Sequence, residues 1–157
     1  MAEADLPMVE RVGETVHPAF PEDPSVIAER LALFPEGCFV LRDPSGIVGY
    51  AVSHPWMFGH PPKLDSHLLR LPDCPDTLFV HDMALLRSVR GGGNGTAGVH
   101  RLIALAKRYE FGTLSLVSVS GSARFWQRHG FVIVNDPALR TYLLSYGDEA
   151  RFMQRPS

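Results

Sequence analysis

Arg90-Gly91-Gly92-Gly93-Asn94-Gly95-Thr96-Ala97 lies between an apolar strand-like run and an amphipathic helical one, and the fold turns on how it is read. Glycines at such a junction let backbone N–H groups come close to a ligand. The unsatisfied donors of a helix N-terminus and the positive end of its macrodipole both favour an anion there. The stretch therefore points to a phosphorylated ligand.

Two familiar phosphate-binding loops fail on the neighbouring residues. Gly93-Asn94-Gly95-Thr96-Ala97-Gly98 spells GxGxxG, but a dinucleotide site also needs an acidic residue about 20 positions on, at the end of the next strand. That strand end reads Ser118-Val119-Ser120, and too little chain follows for a doubly wound sheet. A Walker A loop needs Lys and then Ser or Thr after its last glycine. Gly95 is followed by Thr96 and Ala97.

Upstream of the loop, Thr77 to Leu86 reads as a buried strand broken only by the polar pair His81-Asp82. Downstream, Val99, Leu102, Ile103 and Ala106 share one face of a helix carrying Lys107 and Arg108 near its C-terminal end. Gly112 ends that helix, and Thr113 to Val119 has the β-branched and leucine content of another strand. Strand, loop, helix and strand make a parallel crossover unit. Ser120-Gly121-Ser122 then opens a short helix through Arg128, and Gly130 closes it before a strand over Phe131 to Val134. A helical piece near Leu139 to Ser145 and a strand around Ala150 to Gln154 complete the chain.

Nearer the N-terminus, Asp5 is expected to cap a helix with Pro7 in its first turn, in which Val9, Val12 and Val16 recur at helical spacing before Pro18 and Pro21 stop it. A second helix runs from Asp23-Pro24 to Leu33 with Ile27, Leu31 and Phe34 on one face. Cys38 to Arg42 and Ile47 to Ser53 read as a hairpin around the turn Asp43-Pro44-Ser45-Gly46. From His54 to Asp76 the chain is proline-rich, either a binding loop or lid or an ordered surface excursion with one short helix at Leu64 to Leu71. It is the candidate substrate wall.

At 157 residues the chain is long enough to fold as a single domain, 1–157, without metal or disulfide staples. A net charge of −2 leaves no basic footprint for nucleic acid, so a small-molecule partner is expected. Cys38 and Cys74 form neither a CxxC pair nor a disulfide framework, which fits a reducing compartment. The acidic start Met1-Ala2-Glu3-Ala4-Asp5 is unlike a signal peptide, and no run reaches the roughly 20 apolar residues of a membrane span. A cytoplasmic protein with no membrane partner is the expectation.

Arg90-x-x-Gly93-x-Gly95 resembles the Q/R-x-x-G-x-G/A signature of the GNAT superfamily of acyl-CoA N-acyltransferases. A second match follows in order: Phe125-Trp126-Gln127-Arg128-His129-Gly130-Phe131 looks like that family's F-Y-x-x-x-G-F segment. The resemblance covers nearly the whole chain, with only the family's first strand lacking a counterpart ahead of Asp5. It implies an α/β (α+β) fold with a mixed central sheet of six or seven strands, flanked by helices and splayed between its two central parallel strands.

The resemblance further implies transfer of an acetyl group from acetyl-CoA to the amine of a small molecule through a direct tetrahedral intermediate, with no metal. Backbone amides from Gly91, Gly92, Gly93, Asn94, Gly95 and Thr96 would cradle the pyrophosphate, with Arg90 adding positive charge. Main chain of Met83, Ala84 and Leu85 would pair with the pantetheine amides, and Ser122, Phe125, Trp126 and Arg128 would flank the same arm. Arg124 is a weaker candidate. Members of the family are often dimers, so a homodimer is an expectation of the same kind. A non-catalytic acyl-CoA sensor and a protein N-terminal or lysine acetyltransferase are the alternatives.

His81 and Asp82 are the candidate catalytic residues. An imidazole changes charge between about pH 5 and 8, which suits a base that deprotonates the ammonium so that the amine can attack. In a regular strand Asp82 faces away from His81, although a bulge would re-aim either side chain. Trp126 replaces the tyrosine that usually serves the family as general acid, and an indole N–H cannot protonate a thiolate. Tyr142, Tyr146 or water then supplies that proton, or the thiolate leaves unaided. Trp56 and Phe58 are candidates to line an acceptor pocket. His54, His60 and His67 lack the spacing of a metal site, so no metal is expected.

Overall fold

A computed structural model describes residues 1–157. Helix α1 (Leu6–Val16) follows a single 3₁₀ turn, and α2 (Pro24–Leu33) starts where the Asp23 carboxylate accepts the Ser25 N–H at 2.9 Å. Asp5 holds the N-cap position of α1, as expected, but its carboxylate makes no bond to the first turn: it accepts the Ala2 N–H at 2.9 Å and pairs with Arg42. Strands β1 (Cys38–Asp43) and β2 (Gly46–Trp56) form the hairpin, β3 is Thr77–Leu85, α3 is Asn94–Arg108, and β4 is Thr113–Ser118. The short α4 (Ala123–Arg128), β5 (Val132–Ile133), α5 (Arg140–Leu143) and β6 (Arg151–Pro156) follow.

The six strands make one sheet in the order β1-β2-β3-β4-β6-β5. Only β3 and β4 pair in parallel, joined through α3, and every other neighbour is antiparallel. Six strands fall within the range the motifs implied. Val99, Leu102 and Ala106 of α3 are fully buried against Leu78, Val80, Leu114 and Leu116, so the apolar stripe of that helix covers one sheet face. Val9 and Val12 of α1 and Leu31 of α2 pack with Tyr50, Val52 and Ala84. No helix is long and apolar enough to cross a membrane.

Two segments differ from the sequence reading. Strand β2 runs three residues past Ser53 to Trp56, because His54 and Pro55 lie opposite Phe79 and Leu78 in the ladder. Residues 57–76 contain no helix. Where a helix is expected, N–H groups go to side chains instead: those of Leu68 and Leu69 to Glu29 at 2.8 Å each, that of Leu64 to Ser145 at 3.1 Å, and that of Asp65 to Glu22 at 3.0 Å. Asp65 and Leu69 sit at φ 55° and 64°, which no helix tolerates.

Candidate functional site

β3 and β4 are hydrogen-bonded only from Thr77 to Val80 and from Thr113 to Leu116. Beyond Val80, β3 pairs with β2 alone and β4 with β6 alone, so a cleft opens between the two parallel strands. A bulge marks its start: Ser53 opposes Val80 and Val52 opposes Asp82, which leaves His81 as the extra residue. A regular strand would send His81 and Asp82 to opposite faces. With the bulge, both line the cavity of about 590 Å³ that fills the cleft.

The His81 side chain is 2% exposed, and its Nε2 lies 3.1 Å from Oε2 of Glu22. Its Nδ1 is buried without a protein partner. Burial raises the Glu22 carboxyl, yet His81 and the Asp65 N–H outweigh that and hold it below the usual carboxylate range. Asp82 behaves alike. Burial opposes its charge, but His17, whose Nε2 stands 3.1 Å from Oδ1, and the Tyr50 hydroxyl donating to Oδ2 keep it low. His54, on the strand alongside, is fully buried with its ring centroid 6.2 Å from that of His81.

At the far end of the cavity stands the glycine loop. Gly93 is the N-cap of α3 at φ 85°, a left-handed backbone that glycine adopts without strain. Gly95 serves a close approach: a Cβ there would sit 3.1 Å from Phe125, so the two sequence motifs touch. Arg90 lines the cavity with its Nε tied to the Leu85 carbonyl at 2.8 Å. Gly91, Thr96, Met83, Leu85, Ser122, Phe125, Trp126 and Arg128 also line it. Gly92 and Asn94 stand back, Asn94 donating to the Val89 carbonyl at 2.9 Å, and the Ala84 side chain is buried in the core under α1. Arg124 is likewise outside the lining.

Trp126 is 7% exposed and packs edge-on to Phe125 and Phe131 at 5.1 and 5.2 Å while one part faces the cavity. Tyr146 lines the cavity too, but its hydroxyl donates to the Pro62 carbonyl at 2.8 Å and burial pushes its pKa up. Tyr142 lies outside, against His60. Trp56 and Phe58 are not acceptor-pocket residues: the indole donates to the His60 carbonyl at 2.6 Å and Phe58 packs on Phe152, so both anchor the long segment to the core. His60 faces Tyr142 and His67 stands 3.4 Å from Glu29, and no group of three metal-ligating side chains converges.

His17 and Glu22 escaped the sequence reading. Both lie in His17-Pro18-Ala19-Phe20-Pro21-Glu22, a connection with no periodicity to give a side chain a direction. A second cavity, of about 570 Å³ between α1 and α2, meets the first at His17, Phe20, Glu22 and Asp82.

A cleft that opens where two parallel strands part, with an N–H-rich helix start at one end and a buried imidazole at the other, has the geometry to hold a phosphorylated ligand with its far end beside the imidazole. The chain belongs to the GNAT acetyltransferase family, whose description, Acetyltransferase (GNAT) family, matches residues 8–131. As a member it is an acyltransferase with acetyl-CoA as co-substrate.

Among solved structures, the fold resembles Ard1 from Thermoplasma volcanium at 19% identity and a TM-score of 0.75, covering 99% of this chain and 93% of that one. It resembles the GphF GNAT-like decarboxylase in complex with isobutyryl-CoA at 14% identity and a TM-score of 0.78, covering 99% and 96%. The ribosomal-protein-S18-alanine N-acetyltransferase from Escherichia coli is 17% identical with a TM-score of 0.69, covering 99% and 90%. No curated protein matches the chain.

Proposed function

We propose that residues 1–157 act as one cytoplasmic domain that transfers an acetyl group from acetyl-CoA to the amine of a small molecule, with His81 as general base. The observation that carries this reading is the bulge, which sets His81 and Asp82 on the same side of β3, both in the lining of the cavity. N–H groups of the loop from Gly91 to Thr96 hold the donor's phosphates, and Arg90 and Arg128 add positive charge at that end. The unpaired edge of β3 from Met83 to Leu85 offers main-chain partners to a linear amide. His81 takes a proton from the bound ammonium, and the freed amine adds to the acyl carbon to give a tetrahedral intermediate. Collapse of that intermediate breaks the C–S bond, the second amine proton going to the released thiolate to give the free thiol. Two cavities that share His17, Phe20, Glu22 and Asp82 in their linings lie on the acceptor side and have room for a small amine.

His81→Ala is expected to lower turnover by about 10²-fold or more while acetyl-CoA binding stays intact. Thiol release from acetyl-CoA with a panel of small amines, and with peptides bearing free N-termini, reads both rate and acceptor class. Unchanged turnover in the variant would dismiss His81 as base, and release with peptides alone would move the acceptor to protein. Trp126 at the usual tyrosine position favours a second reading, an acyl-CoA sensor. Binding of acetyl-CoA without thiol release across both panels would establish that one.

A further inference from the structure

We infer that Glu22 is the positioning residue of the site: it fixes the tautomer of His81 so that the Nδ1 lone pair is free to take the proton. The inference rests on the reading of His81 as base, and it concerns a residue from a connection with no sequence signature.

Glu22 sits between two donors. Its Oε1 accepts the Asp65 N–H at 3.0 Å and its Oε2 lies 3.1 Å from His81 Nε2. Asp65 closes the link by accepting the Asp23 N–H on Oδ1 at 2.7 Å, so residues 22–23 and the long segment hold one another. A carboxylate offers only acceptors, so a neutral His81 must carry its proton on Nε2 to meet it. Nδ1 is then a bare lone pair. It is also the ring nitrogen without a protein partner, shielded from solvent beside His54, whose Nε2 is likewise unpartnered, on a residue that lines the cavity. A buried polar atom without a partner is uncommon enough to require a use, and accepting the proton of a bound ammonium is one.

Glu22→Gln separates the roles, because a side-chain amide carries one acceptor oxygen where the carboxylate has two. If the oxygen keeps the Asp65 N–H, the amide nitrogen faces His81 and drives the imidazole proton to Nδ1, where it blocks the lone pair. ¹⁵N spectra of the ring at a pH where it is neutral are expected to show Nε2–H in the wild type and Nδ1–H in Glu22→Gln. Turnover should fall about 10²-fold with the KM for acetyl-CoA unchanged, and Glu22→Asp should recover part of it. An Nδ1–H wild type, or a Gln variant with unchanged tautomer and turnover, would overturn the inference. The spectra need no substrate, so they stand apart from the base assignment: a His81→Ala variant of full activity would remove the reading whatever the tautomer. Denaturation midpoints of both Glu22 variants check that folding is kept, and a tautomer change in a folded variant is not a stability effect.

Discussion

His17 and His54 flank the bulged strand, and burial lowers the proton affinity of both. At His54, fully buried beside His81, nothing outweighs that cost, and its pKa lies well below the ordinary value. At His17 the Asp82 carboxylate more than offsets burial, and the pKa is raised. The consequences for stability have opposite signs. The raised His17 contributes stability that is complete below its unfolded pKa of about 6.5 and is lost as pH climbs through the folded value. The depressed His54 stabilises above about 6.5 and loses that contribution as pH falls. Asp82, lowered in the fold, keeps its share down to the acid range. Replacing His17 with Gln therefore has a pH-dependent cost. In urea titrations from pH 5.5 to 8.5 the wild type is expected to exceed the variant by on the order of 1 kcal/mol at the acid end and by less at the alkaline end. A gap that stays constant, or widens with pH, would rule the pair out as a source of stability.

Helix α2 shows how one element holds an irregular segment in place. Arg30 is completely buried, pairs with Glu29 and donates from Nη2 to the Ser66 carbonyl at 2.6 Å, while Glu29 accepts the Leu68 and Leu69 N–H groups. Without Arg30 the Ser66 carbonyl loses its donor, at about 1–3 kcal/mol, while the half-buried Glu29 keeps its two N–H partners. Arg30→Met is expected to cost that much in chemical denaturation, and a loss under 1 kcal/mol would show that the clamp adds little. These contacts also explain what sequence could and could not reveal. Helices α1, α2 and α3 and the hairpin were legible because apolar spacing and turn residues set them locally. The span 57–76 was not: the N–H groups of Leu64, Asp65, Leu68 and Leu69 are satisfied by Ser145, Glu22 and Glu29, partners as many as 81 residues away. Of the site, the glycine loop and His81 were readable from motif and strand, whereas the directions of His17 and Glu22 depend on tertiary packing alone.

At the scale of the whole molecule, the cavity joins two halves made from different parts of the chain. The loop before α3, the edge of β3 and α4 make one end, and the connections after α1 and β2 make the other, with the bulge at His81 between them. The first half comes from contiguous motifs, so donor binding is expected to survive damage to the second. A ligand that binds only the folded state stabilises it by about 2.7 kcal/mol at 100 times its Kd, which for a domain of this size raises Tm by about 5–10 °C. Acetyl-CoA is expected to do this for the wild type and equally for His81→Ala and Glu22→Gln. Gly93→Glu should abolish the shift, since it places a carboxylate and a strained left-handed residue where the α3 N-terminus would meet phosphate. Differential scanning fluorimetry with and without acetyl-CoA measures all four proteins. A shift retained in Gly93→Glu would remove the glycine loop as the phosphate site, and a shift lost in Glu22→Gln would mean that the two halves fold around the donor together.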